Sequence, residues 1–348
     1  MRAFRSLGTV TSRRILSAAP LLAAAALSLG LSACGSSSSN AGTDSSQPPA
    51  TSADFPSPKG KSMLQIKKGL GPGPVLAPTV SVLGTGKDRY GFGLFDRARK
   101  QIAQTPVALY VERQGTTKVT GPFLARDLSL TVKPAFQSET VAKDPTAAKS
   151  LYVTDIKIPK AGDYAVLGVA KLDGRLVATD PVGLRVSVND PVPNVGDPAP
   201  RIDTATLKSV GGDASKIDTR TPPDTMHDVN FADALGKRPI LLLFATPALC
   251  QSRVCGPVAD IAEEVKSESK TDTAFIHQEI YRDNTIAPGC LEGTRPETQC
   301  FQPQVLAYHL PTEPWAFAID KKGTIVARLE GAFSKGELQS AVKRAEAG

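Results

Sequence analysis

Ile240-Leu241-Leu242-Leu243-Phe244-Ala245-Thr246-Pro247-Ala248-Leu249-Cys250-Gln251-Ser252-Arg253-Val254-Cys255-Gly256-Pro257 decides the fold. Lys237-Arg238-Pro239 precedes it, so a continuous apolar run of five stands between breakers. Such a run reads as a strand buried on both faces, the habit of parallel and mixed sheets. A helical pattern follows Pro257. Val258, Ile261, Ala262 and Val265 share one face; Asp260, Glu263, Glu264 and Lys266 share the other. Proline suits the first turn of a helix. The stretch is therefore strand, cysteine loop, helix.

Working outward, Ala274-Phe275-Ile276-His277-Gln278-Glu279-Ile280-Tyr281 reads as a second strand and Pro314-Trp315-Ala316-Phe317-Ala318-Ile319-Asp320 as a third. Lys321-Lys322-Gly323 turns the chain into a fourth, Thr324-Ile325-Val326-Ala327-Arg328-Leu329. Ser334 caps a last helix with Leu338, Val342 and Ala345 on its apolar side.

This order resembles the thioredoxin-like fold over residues 191–348. Val195-Gly196-Asp197-Pro198-Ala199-Pro200 resembles the opening of redoxins. Cys255-Gly256-Pro257 resembles the first three residues of the thioredoxin active-site motif, and Thr312-Glu313-Pro314 the cis-proline loop. The resemblance implies thiol–disulfide exchange, with Pro314 shaping the substrate groove and Trp315 packed beneath it. The departures are specific. Val258 stands where the family has its second cysteine, so the spacing is C-x4-C rather than C-x-x-C. Leu241 to Phe244 supply no buried acid. Thr246 lies four residues before Cys250, where the peroxiredoxin pattern has three.

A thiol at a helix N-terminus is stabilised as thiolate by the dipole and the free N–H groups. Cys255 is placed there, which assigns it as nucleophile and Cys250 as resolving partner, since a five-residue loop can close to disulfide distance. The competing assignment makes Cys250–Cys255 a structural disulfide in a degenerate redoxin that acts as a binding or scaffold lipoprotein. Cys290 and Cys300 flank a Pro- and Gly-bearing stretch that reads as a stapled surface loop, although cross-pairing with Cys255 stays open. A third reading is Cu(I) handling by the two thiolates with His309, because soft ligands select that ion. Related copper-chaperone lipoproteins use two cysteines and a histidine, at shorter cysteine spacing. No cofactor and no resident metal is expected.

Residues 75–190 carry short alternating runs. Examples are Arg89-Tyr90-Gly91-Phe92-Gly93-Leu94-Phe95, Val107-Ala108-Leu109-Tyr110-Val111 and Asp163-Tyr164-Ala165-Val166-Leu167-Gly168-Val169. Asp173-Gly174 marks a hairpin. Short strands at regular spacing suggest an antiparallel sandwich. Ile158-Pro159-Lys160-Ala161-Gly162-Asp163-Tyr164 resembles a strand lead-in of immunoglobulin-like bacterial modules. The stretch has no Cys, His or Met, and no phosphate loop. The expected fold class is thus α+β multidomain: an immunoglobulin-like β-sandwich followed by an α/β thioredoxin-like domain.

The N-terminus carries Arg2, Arg5, Arg13 and Arg14, then a charge-free Ala- and Leu-rich run over residues 15–31. This reads as a secretory signal over residues 1–33. Leu31-Ser32-Ala33-Cys34 resembles the bacterial lipobox, which implies cleavage before Cys34 and acylation of its sulfur, so that membrane lipid is a partner through Cys34. Residues 34–74, rich in Ser, Gly and Pro, read as a disordered leash spanning on the order of 35 Å. The expected location is extracytoplasmic, lipid-anchored to the cell membrane, with thiol or disulfide proteins of the envelope as partners. The net charge of +7 is spread without a basic run interleaved with aromatics, which gives no nucleic-acid signature. Five cysteines less the lipidated one leave four, an even number suited to an oxidising compartment.

Overall fold

The computed structural model describes residues 47–348; Cys34, its lipobox and the leader lie outside the described residues. The alternating runs become β1 (Gly71–Pro72), β2 (Val75–Pro78), β3 (Gly86–Phe95), β4 (Gln101–Ile102), β5 (Val107–Arg113), β6 (Val119–Ser129), β7 (Ser150–Ile158), β8 (Gly162–Leu172), β9 (Arg175–Ala178) and β10 (Val182–Val186). They form one sheet in the order β1-β9-β8-β5-β6-β7-β3-β2, with β10 on β8 and β4 on β3. Where a sandwich of two sheets is expected, β6 runs through both halves: Val119 to Ala125 pair with β5, and Arg126 to Ser129 with β7. Gly121, at φ 128°, makes this passage possible, since a Cβ there would lie 2.6 Å from the Leu109 carbonyl oxygen. The enclosed core holds Tyr90, Phe92, Leu109, Tyr152, Ile156 and Val166.

Of the leash expected over residues 34–74, the described residues 47–74 carry ordered elements instead. Ser62 caps α1 (Met63–Lys67), and Gln65 returns the capping-box bond. Phe55, Met63 and Ile66 are buried against Tyr110, Leu167 and Val169 on the outer face of β5 and β8. The Tyr110 hydroxyl donates to the Pro56 carbonyl at 2.7 Å. Three apolar side chains suffice because that sheet face offers them a dry surface, each gaining about 1.5–3 kcal/mol on burial. Composition counts the residues but not the face that receives them.

The quoted stretch gives β11 (Ile240–Phe244). It lies parallel to β12 (Ala274–Gln278) and antiparallel to β13 (Trp315–Ile319), which pairs antiparallel with β14 (Ile325–Glu330). Every residue of β11, β12 and β13 is buried, which is why these strands read as apolar runs rather than alternations. Two long helices, α4 (Cys255–Glu268) and α7 (Lys335–Ala347), share one apolar cluster on one face. The opposite face is covered by α3 (Phe231–Ala234), α6 (Pro303–Ala307) and irregular chain.

The two sheets are joined by more than a linker, and the described residues pack as one unit. Leu128, Leu130, Leu151 and Val153 on β6, β7 and their flanks belong to the same cluster as Leu241, Val258 and Ile261. Arg89 on β3 pairs with Glu337 of α7 at 2.6 Å, and Arg220 with Asp260 of α4 at 2.9 Å, both little exposed. Ser138, which caps α2 (Glu139–Lys143), donates its N–H to Asp260 at 2.9 Å. Glu330 accepts the N–H groups of Ser81 and Val82 at 2.8 and 3.0 Å.

Candidate active site

Beyond Phe244 the chain leaves the sheet. Ala245 donates its N–H to Gln278 O at 3.1 Å, Leu249 turns back on Thr246, and Arg253 takes φ 62° before α4 begins at Cys255. The loop delivers Cys250 to the front of the helix. Cys250 and Cys255 are unbridged; Cys250 is partly exposed and Cys255 fully buried. The Cys250 Sγ accepts the Cys255 N–H at 3.2 Å and lies 3.2 Å from the Ser252 hydroxyl.

These contacts set the thiol chemistry. Hydrogen bonding from the Cys255 thiol, then from Ser252 and the N–H groups of Cys255 and Val254, holds the Cys250 thiol down to about 6. Burial, next the hydrogen bond to Cys250 and then its charge, pushes Cys255 well above the ordinary thiol value. The two sulfurs are thus distinguished: Cys250 is the partly exposed thiol with the lowered value and Cys255 the buried thiol with the raised one. The Cys255 N–H, at the first residue of α4, is directed at the Cys250 sulfur.

Glu313 and Pro314 complete the site from the other side. The Glu313–Pro314 peptide is cis. The Glu313 carboxylate has an oxygen within 4.8 Å of both sulfurs. Burial, and then the charge of Cys250, raises Glu313 to about 7. It accepts the Gln251 N–H at 3.4 Å, and its carbonyl accepts the Ser252 hydroxyl at 3.3 Å. Pro314 O accepts the Gly331 N–H at 2.8 Å. Trp315 is fully buried beside them, donating Nε1–H to Thr312 at 3.1 Å and stacking on Phe317. A cleft of about 940 Å³ opens between this loop and the first sheet, lined by Gln251, Arg253 and Glu313 on one side and Arg97, Arg99 and Lys149 on the other.

Cys290 and Cys300 form a disulfide. It closes the insertion that leads into α5 (Glu297–Cys300), next to the Tyr281–Phe301 ring pair. His309 is not among the ligand-type groups that gather at the two sulfurs, so the copper reading loses its third ligand. Reasoning from sequence missed Glu279, at the end of β12. It is 1% exposed, accepts the Thr219 N–H at 2.7 Å, and is raised by burial. His277, within the expected second strand, lies buried against Asp224. The available signal was that Asp218, Asp224 and His227 crowd one polar loop while His277 interrupts an apolar strand.

No family model matches the chain, and no curated protein matches it. Among solved structures, a thioredoxin-like superfamily protein is similar at 20% identity and TM-score 0.28, over 35% of this chain and 87% of its own. A thiol:disulfide interchange protein of the thioredoxin family from Chlorobium tepidum TLS is similar at 17% identity and TM-score 0.28, over 44% of this chain and 97% of its own. No helix among the described residues is long and apolar enough to cross a membrane.

Proposed function

We propose that the chain is a thioredoxin-like thiol–disulfide exchange protein, lipid-anchored through Cys34 outside the cytosol, with Cys250 as the attacking thiol. The observation that carries this is the hydrogen bonding at Cys250: a partly exposed sulfur, held down to about 6, in front of α4 with a second thiol beside it. A structural thiol has no need of such an environment.

The Cys250 thiolate attacks one sulfur of a partner disulfide. The S–S bond breaks, the partner's other sulfur leaves as thiolate, and a mixed disulfide forms on Cys250. Cys255 then loses its proton and attacks the Cys250 Sγ. The mixed bond breaks, Cys250–Cys255 forms, and the partner leaves with both thiols reduced and two electrons gained. Glu313 takes the Cys255 proton through one bridging water, since a carboxylate oxygen lies within 4.8 Å of both sulfurs and the group is raised to about 7. The partner lies in the cleft beside Gln251 and Glu313, so the first sheet, of the immunoglobulin-like class in our reading, forms the far wall of the substrate groove. The test is a turnover assay with an envelope-type protein disulfide and an external dithiol: Cys250→Ser abolishes turnover, whereas unchanged turnover overturns the proposal.

A further inference from the structure

Four buried side chains converge at a place that the thiol chemistry does not use. Asp218, Asp224 and His227 come from the irregular stretch before α3, in which residues 187–230 hold only the short turn Ala214–Lys216. His277 comes from β12. None of the four is more than 7% exposed. One ligand atom of each lies within 4.8 Å of the others.

The spacing is that of a coordination sphere. His277 Nδ1 stands 2.8 Å from Asp224 and 3.8 Å from Asp218, and His227 Nε2 stands 3.3 Å from an oxygen of each. His277 faces Asp218 Oδ1 and Asp224 Oδ2 while His227 faces the other oxygen of each, so a turn of the carboxylates presents one oxygen apiece toward the edges of about 3.3–3.4 Å that a tetrahedron with metal bonds of about 2.0–2.1 Å requires. For His227, a proton split between two acceptors at 3.3 Å is a poor hydrogen bond, while the same distance is an ordinary ligand-to-ligand edge.

For His277 and the two carboxylates the surroundings are those of held ligands, while the buried His227 Nδ1 has no partner. His277 Nε2 faces the Ala245 carbonyl at 3.1 Å, which leaves Nδ1 aimed inward; metal-binding histidines fix their ring by such a bond. The Asp218 carboxylate accepts the N–H groups of Arg220 and Asp224 at 2.7 and 2.6 Å, and Asp224 accepts that of Met226 at 2.8 Å. With both imidazoles neutral the cluster carries two buried negative charges, and one divalent cation matches them.

We propose that Asp218, Asp224, His227 and His277 form a structural site for a divalent transition-metal ion of the zinc class. It clips the long irregular stretch to β12. Four buried donors leave no open position, which suits an ion with no part in exchange.

The test uses the full chain with Cys250 and Cys255 both changed to Ser, which removes the rival thiol ligands, dialysed against a chelator. Titration with Zn2+ is expected to show one equivalent bound and a raised Tm. Titration with Co2+ is expected to give a four-coordinate spectrum without a sulfur charge-transfer band. Asp224→Asn and His277→Gln should abolish binding, with circular dichroism reporting whether each folds. A folded double-Ser protein that binds no Zn2+ at micromolar concentration overturns the proposal. So does binding that disappears with the cysteines. Neither result touches the exchange reaction, which is read on the protein with its thiols intact.

Discussion

The Cys255 N–H donates to the Sγ of Cys250 at 3.2 Å, so the buried cysteine favours the thiolate form of the partly exposed one. The hydrogen bond from the Cys255 thiol is the largest cause of the lowered Cys250 value. In Cys255→Ser, a hydroxyl replaces that thiol and the midpoint for Cys250 alkylation stays well below ~8.5, the free-thiol value. In Cys255→Ala the donor is lost and the midpoint rises. Iodoacetamide rates against pH measure both; equal midpoints in the two variants would contradict the assignment.

Glu313→Gln removes the group that takes the Cys255 proton. The first step needs no base, so formation of the mixed disulfide keeps its rate. Its resolution by Cys255 slows by on the order of 10²-fold, the usual size of general-base catalysis. Rapid-mixing kinetics with acid quench separates the two steps, and equal slowing of both would count against Glu313 as base.

Linkage gives reduced protein a distinct pH profile. The folded value of Cys250, about 6, lies below that of the free thiol, ~8.5. Between them the unfolded chain binds more protons, so this thiol's contribution is present in full above about pH 8.5 and is lost as pH falls through about 6. Urea midpoints of wild type relative to Cys250→Ser should therefore climb across that window. A constant difference would show an unperturbed thiol.

Asp260→Ala leaves the Arg220 guanidinium buried and unpaired at the junction of the two sheets. The loss is about 3–5 kcal/mol. Because the sheets share an apolar cluster, unfolding remains one transition by fluorescence and by far-ultraviolet circular dichroism. Two separated transitions would show that the sheets fold independently.

Changing Cys290 and Cys300 to Ser opens a loop with a sequence separation of 10. The loss is on the order of 2–3 kcal/mol, and the Cys250 alkylation midpoint does not move. A shifted midpoint would mean that the staple shapes the thiol site.

The second sheet was legible because β11 and β13 are uniform apolar runs, whose burial on both faces needs no partner to be inferred. The cysteine loop and the proline turn were legible from Gly256-Pro257 and Glu313-Pro314. Which sulfur faces solvent was not. Val141 of α2 packs over Gly256, where an added Cβ would lie 2.7 Å from its Cγ2, and that lid comes from a distant segment. The burial of Phe55, Met63 and Ile66 was hidden for the same reason, since the face they cover belongs to β5 and β8. Glu279 and the His277 cluster escaped because a polar residue in a strand says nothing about the groups the fold sets opposite it.

The most direct measurement of the central claim is trapping of the mixed disulfide. Reduced Cys255→Ser and Cys250→Ser proteins are each mixed with an activated aromatic disulfide, quenched with acid and mapped by mass spectrometry. The expected result is rapid capture on Cys250 in Cys255→Ser and slow or no capture in Cys250→Ser. Rapid capture on Cys255 in Cys250→Ser would contradict it.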